Sequence, residues 1–310
     1  MNKENIKKVL VTGSSGFIGS HVADALEENG YQVILFDAVP SKYKSKTQEE
    51  FIGDILTPGD IEKAMEGCDA VYHFAAQADI SISSNMPIKT ITANIIGTQN
   101  VLEAARKHKV KRFLFASTIY VYSELGSFYR VSKQACEKII EEYQKEFDLD
   151  YTTLRYGSLY GPRANEFNSI SNMLIQALRD KKIVRRGDGE EIRELIHVKD
   201  AAQLSVQVLK EEYANKHLVI TGTQKLRIKD LLQMVREIFQ GTIKIEYVDE
   251  KELHHYEITP YSYRPQVARK IVPQTYHDLG QGLLDLIYDL EKQFDNDEKQ
   301  MKVSLRKRKK

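Results

Sequence analysis

The chain has 310 residues, 42% of them hydrophobic and 29% charged, with a formal net charge of +1. That length suits a nucleotide-binding domain with a smaller lobe, and the balance excludes a disordered chain and a general attraction to polyanions. Two cysteines, Cys68 and Cys136, exclude a disulfide framework and a paired metal-ligand motif, so no metal is expected and a reducing compartment is.

The lysine-rich start lacks the apolar stretch of a signal peptide, and no apolar run is long enough to cross a bilayer, so a cytoplasmic protein with no membrane partner is expected. Residues 8–12 read as a strand and pass at once into G-S-S-G-F-I-G at 13–19 and a helix over 17–29. Gly13 permits the tight turn, Gly16 lets the backbone approach a pyrophosphate, and Gly19 allows close helix-to-strand packing. The phosphates then meet free N–H groups at the helix start. A second strand over 32–36 leads to Asp37, placed to accept hydrogen bonds from the adenosine ribose and to repel a 2′-phosphate. Ala38, Val39 and Pro40 follow with no arginine, which favours NAD over NADP.

Strands over 50–53, 70–74, 112–116 and 151–156 alternate with helices over 58–66, 88–108 and 128–147. This order predicts an α/β fold, a Rossmann-type doubly wound parallel sheet with its ligand at the carboxyl ends of the strands. Beyond a Gly161-Pro162 break, helices over 169–180, 198–211 and 228–239 and short strands near Leu218 and Lys244 form a smaller C-terminal lobe. The expected division is a cofactor domain over 1–157, a substrate lobe over 158–300 with residues 199–220 packing back on the sheet, and a basic tail over 301–310. The tail ends in Arg306, Lys307, Arg308, Lys309 and Lys310 and reads as a solvated segment, with no nucleic-acid partner expected.

Tyr129 and Lys133 stand four apart on one face of a helix, where the ammonium can stabilise a phenolate. A phenol titrating near ~10 needs such a charge to act as a base near neutrality. The end of the fifth strand offers Ser117 or Thr118 as a hydroxyl partner.

The glycine turn, Asp37, Gly53-Asp54-Ile55, His73-Phe74-Ala75-Ala76, Asn94 and the Tyr129-x-x-x-Lys133 pair together resemble the extended short-chain dehydrogenases, the NAD-dependent epimerase/dehydratase family. The resemblance runs from about Lys8 to Asp285. It implies a cofactor set of Gly13, Ser15, Gly16, Phe17, Ile18, Gly19, Asp37, Asp54, Ile55, Ala75, Ala76, Gln77, Asn94, Ser117, Tyr129 and Lys133. It selects Thr118 as the hydroxyl beside Tyr129, and Thr118, Tyr156, Ser158, Arg193 and Arg264 as contacts for a nucleotide-diphosphate sugar. Epimerisation at a sugar C4 through a keto intermediate is implied, in a homodimer joined through the helices at 88–108 and 128–147. A net dehydrogenase or reductase, a dehydratase, or a non-catalytic dinucleotide sensor are the rival readings. Two departures bear on them. Ile119, not an acid, follows Thr118, which disfavours dehydration, and the segment from Thr118 to Tyr129 is short. Serine at 158 replaces the family's asparagine.

Overall fold

A computed structural model describes residues 6–165, 167–223 and 225–249. All of them fall in the first of two compact units, Met1–Arg264. The chain runs through β1 (Lys8–Thr12), α1 (Phe17–Glu28), β2 (Gln32–Asp37), β3 (Glu49–Ile52), α2 (Pro58–Met65) and β4 (Ala70–His73). There follow α3 (Ile80–Asn85), α4 (Pro87–Ile91), α5 (Gly97–Lys107), β5 (Arg112–Thr118), α6 (Ser127–Phe147) and β6 (Tyr151–Tyr156). The remainder is β7 (Ser158–Tyr160), α7 (Ser169–Asp180), β8 (Lys182–Arg186), β9 (Ile192–His197), α8 (Val198–Gln207), β10 (Lys216–Ile220), β11 (Lys225–Arg227), α9 (Ile228–Ile238) and β12 (Lys244–Val248).

Seven parallel strands form the main sheet in the order β10-β6-β5-β4-β1-β2-β3. The order reverses between β1 and β4, and at such a switch point the connections leave in opposite directions and open a crevice at the strand ends. Alternate residues of the central strands feed two separate cores. Val9 and Val11 of β1 pack with Val22 and Leu26 of α1 and Ala202 of α8, while Leu10 packs with Met65 of α2 and Leu102 of α5 on the other face. Both faces are buried, so the strands read as continuous apolar runs, and each fully covered Leu, Ile or Phe contributes roughly 1.5–3 kcal/mol.

The expected single helix over 88–108 is instead α4, a π turn at Thr92–Ile96, and α5 in succession. The short helix α3 precedes it and was not expected. Asp79 caps α3 by accepting from the Ile82 N–H at 2.9 Å, a capping choice the sequence leaves to context. The helix expected to reach residue 211 stops at Gln207, and β10 then pairs with β6 in the main sheet. Beyond β6, two small sheets, β11-β9-β7 and β12-β8, and the helices α7 and α9 surround a third core containing Met173, Ala177, Ile183 and Leu232.

Candidate active site

The strand ends at the switch point open into a cleft of about 1220 Å³. Its floor is the glycine turn. Gly13 adopts φ +70°, and a Cβ there would stand 2.6 Å from the Ala75 amide nitrogen. A Cβ on Gly19 would sit well inside van der Waals contact of the Gly13 carbonyl oxygen. The turn is therefore built for glycine, so that backbone rather than side chains faces whatever lies over the start of α1. Gly13, Gly16, Phe17, Ile18 and Gly19 line this floor with Ala75 and Ala76 opposite.

At one end stands Asp37. Its Oδ2 accepts from the Ser15 N–H at 2.9 Å and its Oδ1 from the Val39 N–H at 3.3 Å, while Ser15 Oγ donates to the Val39 carbonyl at 2.8 Å. Ser15 thus fixes the carboxylate and does not itself line the cleft. Asp54 and Ile55 border the same end. Ile55 is held by Asn100 Nδ2 donating to its carbonyl at 2.9 Å, and its side chain fills the space over Gly97. A carboxylate, a glycine floor and an apolar wall fit a dinucleotide whose adenosine carries free ribose hydroxyls, as NAD does.

At the other end Thr118, Tyr129 and Lys133 meet. Thr118 ends β5, and its hydroxyl hydrogen-bonds the Tyr129 side chain. Lys133 is 3% exposed. Its Nζ donates to the Ala116 carbonyl at 2.7 Å and lies 4.6 Å from the Phe115 ring centre and 5.8 Å from that of Tyr129. Burial pushes the Tyr129 phenol up to about 12, opposed by the Thr118 hydroxyl. Burial pushes the Lys133 ammonium down to about 8, opposed by Cys136 and Glu137. Burial thus drives the two values apart, the phenol upward and the ammonium downward, each toward its neutral form.

Three expected contacts take another form. Asn94, 1% exposed, does not line the cleft. Its Oδ1 accepts from the Gln77 N–H at 2.7 Å, and its Nδ2 donates to the Gln77 carbonyl at 3.1 Å and to Ser132 Oγ at 2.8 Å. The π turn aims this amide so that it ties the loop after β4 to α6 between Tyr129 and Lys133; Gln77, engaged in the same tie, is also off the cleft wall. Tyr156 borders the cleft, but its hydroxyl is 2.7 Å from Ser205 Oγ on α8 and is buried there. Its phenol serves the fold because the strand's alternation turns that side chain into the first core.

Ser158 and Arg193 line the far wall, and Arg264 lies outside the described residues. The same wall holds residues the motifs did not single out: Asn172, Gln176, Arg185 and Arg186. Arg185 is paired with Glu191 at 2.6 Å. Adjacent arginines closing a strand before Gly187 were the available signal.

The model of the NAD-dependent epimerase/dehydratase family matches residues 9–221, more than half of the chain. The chain belongs to this family. A putative UDP-glucose 4-epimerase from Methanocaldococcus jannaschii is 29% identical over 249 residues, 74% of this chain and 81% of that protein. A UDP-N-acetyl-alpha-D-glucosaminuronate decarboxylase from Bacillus cytotoxicus is 28% identical, covering 85% of this chain and 90% of its own. Among solved structures, a UDP-glucose 4-epimerase from Thermotoga maritima with UDP-glucose superposes with a TM-score of 0.76 at 28% identity, over 83% of this chain and 90% of that one. The extended short-chain dehydrogenase reading of the sequence and its doubly wound fold agree with these matches.

Proposed function

We propose that the chain is an NAD-dependent nucleotide-sugar epimerase that oxidises a sugar hydroxyl, at C4, to a transient ketone and reduces it again from the other face. The observation that carries the reading is the meeting of Thr118, Tyr129 and Lys133 at the end of a cleft whose other end presents Asp37. Bound NAD would supply the hydride acceptor and donor and, when oxidised, a positive charge that favours the phenolate. Tyr129 takes the hydroxyl proton as the ketone forms and returns it to the oxygen of the epimer. Thr118 holds that oxygen, and the Lys133 ammonium steadies the phenolate. Gly13, Gly16, Gly19, Asp37, Asp54 and Ile55 bind the cofactor, and Ser158, Arg193 and Arg264 bind the diphosphate sugar. Guanidinium forks suit its phosphates. The relatives described above are named for UDP-sugars, so UDP is the first nucleotide to test.

Dehydration finds little support. Ile119, beside Thr118, is apolar and 1% exposed. Among the described residues the acids lining the cleft are Asp37, Asp54 and Asp79, and Asp79 caps α3. Residues 1–157 serve as the cofactor domain and 158–300 as the substrate lobe in this reading. Two copies pair through the exposed apolar residues Ile88, Ile96 and Val131. The buried free thiols of Cys68 and Cys136 suit the cytoplasm. Among the described residues no helix is long and apolar enough to cross a membrane.

The test incubates wild type and Tyr129→Phe with UDP-, GDP-, CDP- and dTDP-sugars, following products by NMR and reduced nicotinamide by absorbance. An isomeric product without net absorbance change, lost in the variant, is expected. Stoichiometric NADH formation or consumption would make it a net redox enzyme, and NAD binding with no sugar turned over would leave a sensor.

A further inference from the structure

One turn beyond Lys133 on α6 stands Glu137, 4% exposed, so that Tyr129, Lys133 and Glu137 follow one another along a single helix face. Its Oε1 accepts from Ser117 Oγ at 2.5 Å and from Arg155 Nε at 3.0 Å, and its Oε2 accepts from Arg155 Nη2 at 2.7 Å. Arg155, from β6, also donates through Nη1 to Tyr122 Oη at 2.5 Å and lies 4.8 Å from that ring's centre. Tyr122 closes the 3₁₀ turn Ile119–Tyr122 that leaves Thr118. Of Glu137, Ser117, Arg155 and Tyr122, only Ser117 lines the cleft.

We propose that Glu137, through its forked pair with Arg155, is a positioning residue for the reaction: it fixes Ser117 and the turn that carries Thr118, and presents its charge to the Lys133 ammonium along the helix. The proposal rests on the Tyr129 and Lys133 reading above. A buried ion pair is a poor source of net stability, and what it supplies here is geometry. Only ten residues, 119–128, join Thr118 to Tyr129. The Arg155 fork clamps the near end of that short connection to the helix that begins at its far end.

Charge is the second part. Lys133 faces Tyr129, Cys136 and Glu137 on its own helix, neutral His73 on β4, and the Ala116 carbonyl and Phe115 ring on β5. Glu137 faces Ser117 on β5, Arg155 and Tyr151 on β6, His217 on β10 at 3.7 Å, and Lys133 on α6. His217 is in turn 3.2 Å from Glu141, and Lys138 lies near it. Of the anions in these two groups, Glu137 is the one that raises the Lys133 value alongside the Cys136 thiol.

The experiment compares full-length wild type, Glu137→Gln, Tyr122→Phe and Tyr129→Phe with retained NAD, on whichever UDP-sugar wild type turns over, from neutral to alkaline pH. Glu137→Gln is expected to lower kcat by about ten- to hundredfold, leave KM within about twofold, and move the alkaline limb of kcat to lower pH as Lys133 loses its proton earlier. Tyr122→Phe keeps every charge, so it should lower kcat several-fold with the limb unmoved. Wild-type kcat and limb in Glu137→Gln, or a kcat loss matched by lost folded protein with no shift of the limb, would overturn the proposal. If Glu137→Gln fails to fold, Tyr122→Phe decides, and wild-type kcat there overturns it. An active Tyr129→Phe would sink the epimerase reading itself, whereas an inactive Tyr129→Phe beside a wild-type-like Glu137→Gln removes this inference alone.

Discussion

His73 should make the folded protein sensitive to acid. It ends β4 at 1% exposure, with Nδ1 2.7 Å from Thr12 Oγ1 and Nε2 2.9 Å from Thr98 Oγ1, its ring centre 6.0 Å from both Phe113 and Phe115. Burial, with the Lys133 ammonium adding to it, pushes the imidazole down to about 3 from the ordinary 6.5. The unfolded chain takes up this proton below about 6.5, while the folded chain refuses it until about 3. The stability present above 6.5 is therefore lost as pH falls, by ~1.4 kcal/mol per pH unit. Between pH 7 and pH 5 this one group removes about 2 kcal/mol. Urea unfolding followed by far-ultraviolet circular dichroism, apt for a chain without tryptophan, measures it in wild type and His73→Gln. The variant's absolute stability is immaterial. Its loss between the two pH values should be smaller than wild type's by about 2 kcal/mol, since His21 and His217 titrate in both proteins and cancel. Equal losses would refute a buried neutral imidazole at this position.

Three further substitutions probe the cleft. Gly19→Ala forces a methyl against the Gly13 carbonyl; overpacking costs about 1–3 kcal/mol, so NAD affinity by equilibrium dialysis should fall roughly ten- to hundredfold. Asp37→Asn keeps an acceptor for the Ser15 N–H but loses the charge, and the NAD over NADP preference should shrink by about tenfold or more in paired titrations. Phe115→Ala empties a fully buried site under Lys133; denaturant unfolding should register about 3–5 kcal/mol lost.

Features written in consecutive residues were legible without coordinates. The strand, glycine turn and helix from Lys8 to Glu28 announce themselves through periodicity and the spacing of three glycines. The Tyr129 and Lys133 pair is local for the same reason. What escaped depends on residues far apart in the chain. Glu137 reaches Arg155 and His217 only after β5, β6 and β10 align, and nothing in its own segment marks it. Asn94 reads as a cofactor contact until the π turn aims its amide at Gln77 and Ser132. Tyr156 looks like a substrate phenol until strand alternation sends its hydroxyl to Ser205. The short strands β7, β9 and β11 are three to six residues long and pair non-locally, so their sequences carry little period to read.

The central claim is transient oxidation and re-reduction of one sugar carbon, and it is tested most directly with the UDP-sugar that wild type turns over, carrying deuterium at C4. The expected product is the C4 epimer with the deuterium still at C4, with no accumulation of reduced nicotinamide and no turnover by Tyr129→Phe. Loss of the deuterium to solvent, or unimpaired turnover by Tyr129→Phe, would contradict it.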